Sequence, residues 1–157
     1  MRTFDVLALD GGAPGIALAL MMAHGRTGAK PMAAYLVTAA AATADELELA
    51  DWLRQQLPFP LRLALPVPHL GGLHHVDPLG QAVRRDFLGL ATGQRTPRDL
   101  LVNIAIARCF GDEGELPEPR VKWQRFAFPL LARGMTAADC TAWLASMYPD
   151  RFPEIAP

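Results

Sequence analysis

The chain has 157 residues and a mass of 17.0 kDa, a size at which one hydrophobic core is the usual arrangement. Hydrophobic residues make up 51% of the sequence and charged residues 20%, a composition that excludes an intrinsically disordered chain. The formal net charge of -1 excludes an overall positive field that would attract polyanions. We therefore expect a single domain covering residues 1–157, with nucleic acid disfavoured as a partner.

The two cysteines and the lengths of the apolar runs indicate in which cellular compartment the protein is expected. Cys109 and Cys140 stand in apolar contexts and form no CxxC pair, and no signal-peptide pattern precedes them. Such cysteines are typical of a reducing compartment. The longest apolar runs, such as residues 16–23, are shorter than the roughly 20 residues that a membrane-spanning helix requires. The sequence thus predicts a cytoplasmic protein with no membrane segment.

Short apolar runs alternate with helical patterns along the chain, in the order that builds a parallel sheet. Apolar runs bounded by turn residues suit strands buried on both faces, and apolar residues at helical spacing indicate the helices between them. We predict strands at residues 4–9, 31–37, 61–65 and 100–107, and helices from Pro14 until Gly25, from Thr43 to about Leu57, at residues 78–90, and from Thr136 until Pro149. The predicted fold is a three-layer α/β, Rossmann-like sheet, mostly parallel, with helices on both faces.

A glycine-rich turn at residues 10–15, with the sequence DGGAPG, joins the first predicted strand to the first helix. Such a turn aims several backbone N–H groups into one concavity, where the helix dipole also favours an anion. The same residues make an ordinary tight turn, and the pattern is neither GxGxxG nor a Walker A loop. A phosphate-binding turn and a purely structural turn are therefore both open.

Longer stretches resemble a known family. The segment PRVKWQRFAFPLLARGMTAADCTAWLASMYP, from Pro119, is similar to the R-x-x-W-x-x-x-x-P-L-x-x-x-G-M-T-x-x-D-C-x-x-W-L stretch of phosphoadenosine-phosphosulfate-reductase-like proteins. The strand, glycine turn and helix resemble the S-G-G-x-D-S/T nucleotide loop of the PP-loop family of ATP α-hydrolases. TADELELADWLRQQLPFPL, from Thr43, and VNIAIARCFGDE, from Val102, look like two further regions of that family. The chain thus resembles a shortened PP-loop protein, with the weakest match between His69 and Pro97.

The resemblance implies a fold of the HUP type and a ligand. The ligand is ATP or a related adenine nucleotide, together with Mg²⁺, and it would contact the glycine turn, the acidic loop after the 100–107 strand and the basic segment that follows. The nucleotide-binding residues so implied are Asp10, Gly11, Gly12, Ala13, Gly15, Asp112 and Arg120. No catalytic residue and no metal ligand is assigned.

The turn departs from the family pattern in ways that weaken its usual chemistry. Asp10 stands where the family has its first serine, and a carboxylate there repels a polyphosphate. Pro14 and Gly15 replace the Asp-Ser end, which removes one N–H donor and both side-chain functions. We expect a pseudoenzyme that lacks the standard ATP α-hydrolase reaction and retains weak nucleotide, phosphate or sulfate binding.

Three polar clusters allow both a functional and a structural interpretation. A histidine pair near an aspartate suits a divalent metal or an exposed loop, and an acidic group after a strand suits a cation, a general base or a solvated loop. A basic group around a tryptophan suits a phosphate or a base, or the alternating faces of an edge strand. The clusters are His74, His75 and Asp77; Asp112, Glu113 and Glu115; and Arg120, Lys122 and Arg125 around Trp123.

Two other functions compete with nucleotide binding. One is a protein-interaction or assembly module, of the kind frequent in phage and mobile elements, whose partner is another protein or a second copy of the chain. Its predicted contact surface is the pair of proline-rich segments at residues 57–60 and 65–70. The other is an enzyme with altered chemistry, in which Asp10 serves as a metal ligand or a base.

Overall fold

The computed structural model describes residues 2–28, 30–65, 78–90 and 96–153. Its strands are β1 (Arg2–Leu9), β2 (Ala33–Val37), β3 (Leu61–Ala64), β4 (Leu100–Ile106) and β5 (Gln124–Ala127). Its helices are α1 (Ala13–Ala23), α2 (Ala44–Gln56), α3 (Pro78–Leu88), α4 (Pro129–Ala132) and α5 (Ala137–Met147).

The strands form one sheet in the order β3-β2-β1-β4-β5. Every neighbouring pair is parallel, which confirms the three-layer, Rossmann-like α/β fold and makes the described sheet parallel throughout. The chain runs outward from β1 to β3 and then returns to place β4 on the other side of β1. In open α/β sheets, ligands bind outside the carboxyl ends of the strands at such a reversal. The reversal lies between β1 and β4.

Apolar side chains cover both faces of the sheet. In β1, Leu7 and Leu9 pack in the core shared with α1, α2 and α5, whereas Val6 packs in the core beneath α3, as the two-residue period of a strand requires. Helix α1 is buried over most of its surface, from Gly15 to Met22, because it lies between β1 and α5. None of the helices in the described part of the chain is long and apolar enough to cross a membrane.

A capping box begins each of the helices α2 and α5. The Thr43 hydroxyl accepts a hydrogen bond from the Glu46 N–H at 3.1 Å, and the Glu46 carboxylate accepts one from the Thr43 N–H at 3.0 Å. Thr136 and Asp139 exchange the equivalent bonds at the start of α5. Each box satisfies two backbone donors that a helix start otherwise leaves free.

The carboxyl-terminal third contains the edge strand β5 and the single turn α4, which the sequence pattern did not predict. The edge-strand alternative is correct for Arg125, which lies in β5, but wrong for Lys122 and Trp123, which precede the strand. In β5 a buried Gln124 alternates with an exposed Arg125. A strand of four residues at the sheet edge buries too few apolar side chains to produce a clear period-two pattern.

A polar network links α3 to the sheet. Tyr35 of β2 is fully buried, and its hydroxyl donates a hydrogen bond to Asp86 of α3 at 2.7 Å. Asp86 also forms ion pairs with Arg62 of β3, at 3.7 Å, and with Arg85, at 3.2 Å. Burial and the neighbouring Asp86 carboxylate raise the pKa of Tyr35 because both disfavour the phenolate. The phenol therefore acts as a neutral donor that fixes α3 on the sheet.

Candidate functional site

A cleft of about 450 Å³, here called the glycine-turn cleft, opens at the carboxyl ends of β1 and β4. Small-molecule pockets commonly measure roughly 300–1,000 Å³. The start of α1 forms one wall, and the ends of β2 and β4 with the loop after β4 form the other. The lining residues are Ala8, Leu9, Asp10, Gly12, Pro14, Gly15, Val37, Ile106, Ala107 and Asp112. The fold thus brings Asp10 and Asp112, far apart in sequence, to one cleft at the reversal of strand order.

The Asp10 carboxylate folds back onto the glycine turn. Its Oδ1 atom accepts a hydrogen bond from the Gly12 N–H at 2.9 Å. Gly12 is the residue that caps α1, and it has no side chain with which to do so. Asp10 therefore supplies the negative charge that a helix amino terminus favours. The Gly12 N–H therefore donates to a side chain of the protein itself, and without that bond it would be free to bind an anion in the cleft.

The first turn of α1 has fewer anion-binding donors than an ordinary helix start. The first N–H groups of a helix have no acceptor within the helix, and here the first three residues are Ala13, Pro14 and Gly15. Pro14 suits this position because its fixed φ matches the helix, but it has no N–H to donate. Ala13 and Gly15 are the first-turn residues that keep a donor.

Gly15 is required by the packing of α1 against β1. A Cβ atom on Gly15 would lie 2.9 Å from the Cβ of Leu9 and 3.3 Å from the carbonyl oxygen of Asp10, closer than a side chain can approach without movement of the helix. At Gly11 an added Cβ would meet its nearest neighbour, Leu49, only at 3.9 Å. Gly15 lines the cleft as expected, but close helix–strand contact explains why a glycine stands there.

Asp112 also lines the cleft, in the loop that follows β4. Its Oδ2 atom accepts a hydrogen bond from the Cys109 N–H at 2.9 Å. The Arg108 guanidinium donates to the carbonyl oxygens of residues 112–114 at distances between 2.8 and 3.1 Å. These bonds hold the loop in place. Asp112 is therefore a second acidic residue that lines the cleft, together with Asp10.

The remaining predicted site residues are distributed unevenly. Gly11 and Ala13 belong to the turn, whereas Arg120 is exposed and does not line the cleft. Arg120 lies in the segment that leads to the amino end of β5, and amino ends lie at the opposite edge of a parallel sheet. The histidine pair and Asp77 lie outside the described residues. Within the ranges that the structure describes, no three His, Cys, Asp or Glu side chains converge to hold a metal ion.

Cys109 and Cys140 lie together in the core near the cleft. Both are buried free thiols, and their side chains are within hydrogen-bonding reach of each other. Burial raises the pKa of both thiols, that of Cys140 to about 12. A neutral, buried thiol is a poor nucleophile, so both cysteines serve as packing residues of the core.

The raised pKa of Cys140 predicts a loss of stability in alkali. Its thiol ionises near pH 9.0 when unperturbed and only near pH 12 in the fold, so hydroxide favours the unfolded state. The contribution of this thiol to stability is complete below about pH 9 and is lost as the pH rises toward about 12. We expect the free energy of unfolding, measured with urea at each pH, to fall more steeply over this range for the wild type than for Cys140→Ala. Equal slopes for the two proteins would contradict the assignment.

Sequence reasoning recognised that Asp10 stands where a phosphate would bind, but it missed the hydrogen bond to Gly12. An aspartate whose carboxylate accepts from the N–H two residues later forms an Asx turn, so the spacing of Asp10 and Gly12 before a helix was the available signal. No family model, no curated protein and no solved structure matches the chain. Function is therefore inferred from the cleft and its side chains.

Proposed function

We propose that the chain is a divergent member of the PP-loop, adenine-nucleotide-α-hydrolase-like superfamily, in its phosphoadenosine-phosphosulfate-reductase-like branch. It has lost the ATP α-hydrolase reaction, and the glycine-turn cleft keeps weak affinity for an adenine nucleotide or for a phosphate or sulfate group. The observation that carries this proposal is the 2.9 Å hydrogen bond from the Gly12 N–H to the Asp10 carboxylate. The side chain of the protein itself occupies the place of the anion.

Electrostatics argues against tight binding of a triphosphate. A nucleotide whose phosphates reached the start of α1 would meet Asp10 and Asp112, both of which line the cleft. At roughly 4 Å, two like charges repel by about 1 kcal/mol in bulk water and by about 4 kcal/mol near a protein surface. Asp10 and Asp112 are both exposed, so water and salt screen the repulsion, and its effect on affinity is roughly tenfold. The residues present therefore fit an ATP triphosphate poorly, and no step of the family reaction is derived for this cleft.

Other features of the cleft support weak binding. The amides of Ala13 and Gly15 remain at the positive end of the α1 dipole. Val37 and Ile106 provide apolar wall against which a base or another planar group would pack. A phosphate or sulfate group has fewer charges than a triphosphate and meets less repulsion, so single anionic groups are the ligands that this cleft tolerates best.

Incubation with ATP and Mg²⁺ tests the loss of the reaction. We expect the wild-type protein to release no AMP or pyrophosphate above the rate of a protein-free blank, because the cleft does not hold the triphosphate. The matched variants are Asp10→Asn and Asp112→Asn, which remove one cleft carboxylate each. Pyrophosphate release by the wild type that disappears in Asp10→Asn and persists in Asp112→Asn would overturn the proposal and would make Asp10 a catalytic residue.

A specific observation also favours the assembly-module alternative, although at a different surface from the one expected. The predicted contact segment at residues 57–60 is exposed only in part, because Leu57 and Phe59 are buried whereas Pro58 and Pro60 are exposed. Leu65 is exposed, and residues 66–70 lie outside the described part. The segment between β4 and β5 instead exposes three large apolar side chains, those of Phe110, Leu116 and Val121. Phe110 follows β4 at the carboxyl edge of the sheet and Val121 precedes β5 at the amino edge, so these side chains offer separate contacts for a partner rather than one continuous surface.

A further inference from the structure

A second cleft, of about 600 Å³, lies at the amino ends of the strands, at the opposite edge of the sheet from the glycine turn. We call it the amino-edge cleft. It is lined by Thr96, Pro97, Arg98, Leu100, Lys122 and Trp123. Leu100 is the first residue of β4, and Trp123 immediately precedes β5. The hydrogen bond from the Val102 N–H to the Trp123 carbonyl, at 2.7 Å, fixes the backbone of this tryptophan against β4.

The aromatic and apolar surface of this cleft suits a planar ring. Trp123 is half-buried and packs against the core beneath α3, while part of its side chain lines the cleft. Leu100 beside it is buried. A half-buried indole that lines a cleft is suited to stacking with a planar ring, and stacking on an aromatic side chain is a common mode of base recognition.

The charge of this cleft is positive. Arg98 and Lys122 are exposed, and neither has a carboxylate partner within the described ranges. Asp99, the carboxylate next to Arg98 in sequence, is held by Arg2 through two hydrogen bonds of 3.1 Å. Those bonds hold the pKa of Asp99 below its usual range. Two cations therefore flank Trp123 while the adjacent carboxylate is already paired.

We propose that the amino-edge cleft binds a small aromatic anion of nucleotide size, of the class of a nucleoside monophosphate. Its ring stacks on Trp123, and its anionic group lies between Arg98 and Lys122, which donate charge-assisted hydrogen bonds. The net charge of -1 favours a free small molecule over a nucleic acid, which needs an extended positive surface. This site does not depend on the function proposed for the glycine-turn cleft.

Nuclear magnetic resonance of the ¹⁵N-labelled protein distinguishes the two clefts. Trp123→Phe assigns the indole signal of Trp123, and adenosine monophosphate is the probe. We expect the Trp123 indole signal to shift in a saturable manner. Arg98→Ala and Lys122→Ala should each raise the Kd by about tenfold, because each variant removes one charge-assisted contact. Arg133→Ala, an exposed arginine beyond α4 at the other edge of the sheet, is the matched control and should leave the Kd unchanged.

Further ligands sharpen the outcome. Inorganic phosphate and adenosine should each bind more weakly than adenosine monophosphate, because each supplies only half of the recognised chemistry. A Trp123 signal that stays unmoved at saturating adenosine monophosphate overturns the proposal, and so do equal Kd values for the wild type and both charge variants. Shifts confined to Gly11 and Gly12 would overturn it while supporting binding in the glycine-turn cleft. A single-stranded oligonucleotide that binds far more tightly than the mononucleotide would overturn the small-molecule assignment.

Discussion

Gly15→Ala is expected to lower the free energy of unfolding by about 2 kcal/mol, because the new Cβ overpacks the contact between α1 and β1. That Cβ would stand 2.9 Å from the Leu9 Cβ. Alanine in place of glycine within a helix normally stabilises it by about 1 kcal/mol, so the sign of the change is diagnostic. Gly15→Val should cost more than Gly15→Ala, since valine adds two methyl groups at the same contact.

Urea unfolding followed by circular dichroism measures these effects, with Gly11→Ala as the matched control. An added Cβ at Gly11 meets nothing closer than 3.9 Å, so this variant should stay within about 0.5 kcal/mol of the wild type. If Gly15→Ala were instead the more stable protein by about 1 kcal/mol, α1 could not be packed against β1 as described.

The Gly15 contact also bears on how the turn departs from the PP-loop pattern that it resembles. The family pattern has a serine at this position, and its Cβ would meet Leu9 at the same 2.9 Å. Restoring the family residue would therefore push α1 away from the sheet. A variant designed to recover anion binding has to change Asp10 and Pro14 while leaving Gly15 in place.

The fold was predictable because its signals are local and repeated. The apolar runs of β1 and β4 are long enough to identify buried strands, and the Thr43 and Thr136 capping boxes mark where α2 and α5 begin. The ends of the helices were predicted less accurately than their positions. Helix α2 stops at Gln56 because Leu57 adopts an extended conformation, as a residue before proline prefers. β5 was offered only as one alternative, and its start was placed too early, because a strand of four residues at the edge has almost no pattern of its own.

The site was only partly predictable because its decisive features are contacts between residues rather than residue types. The sequence pointed to Asp10 and Asp112, and the fold brings both to one cleft. It did not reveal that the Asp10 carboxylate binds the Gly12 N–H, nor that Cys109 and Cys140 meet in the core. Arg120 was grouped with the glycine turn, but it lies in the segment approaching the other edge of the sheet.

Asp10→Ser is expected to increase the affinity for ATP with Mg²⁺ by at least about tenfold, because it removes one like charge from the cleft. It also weakens the bond to the Gly12 N–H, which the Asp10 carboxylate now accepts at 2.9 Å, because a serine hydroxyl accepts at this spacing less strongly than a carboxylate. Adding Pro14→Ala should increase the affinity further, since it returns an N–H donor to the first turn of α1. Asp45→Ser, which alters an exposed aspartate in the first turn of α2 outside the cleft, is the matched control.

Calorimetric titration of ATP with Mg²⁺ into the wild type, Asp10→Ser and Asp45→Ser tests the central claim that Asp10 holds the place of the anion. We expect millimolar or weaker binding by the wild type and by Asp45→Ser, and clearly tighter binding by Asp10→Ser. Micromolar binding by the wild type, or an Asp10→Ser variant that binds no better than the wild type, would contradict the claim.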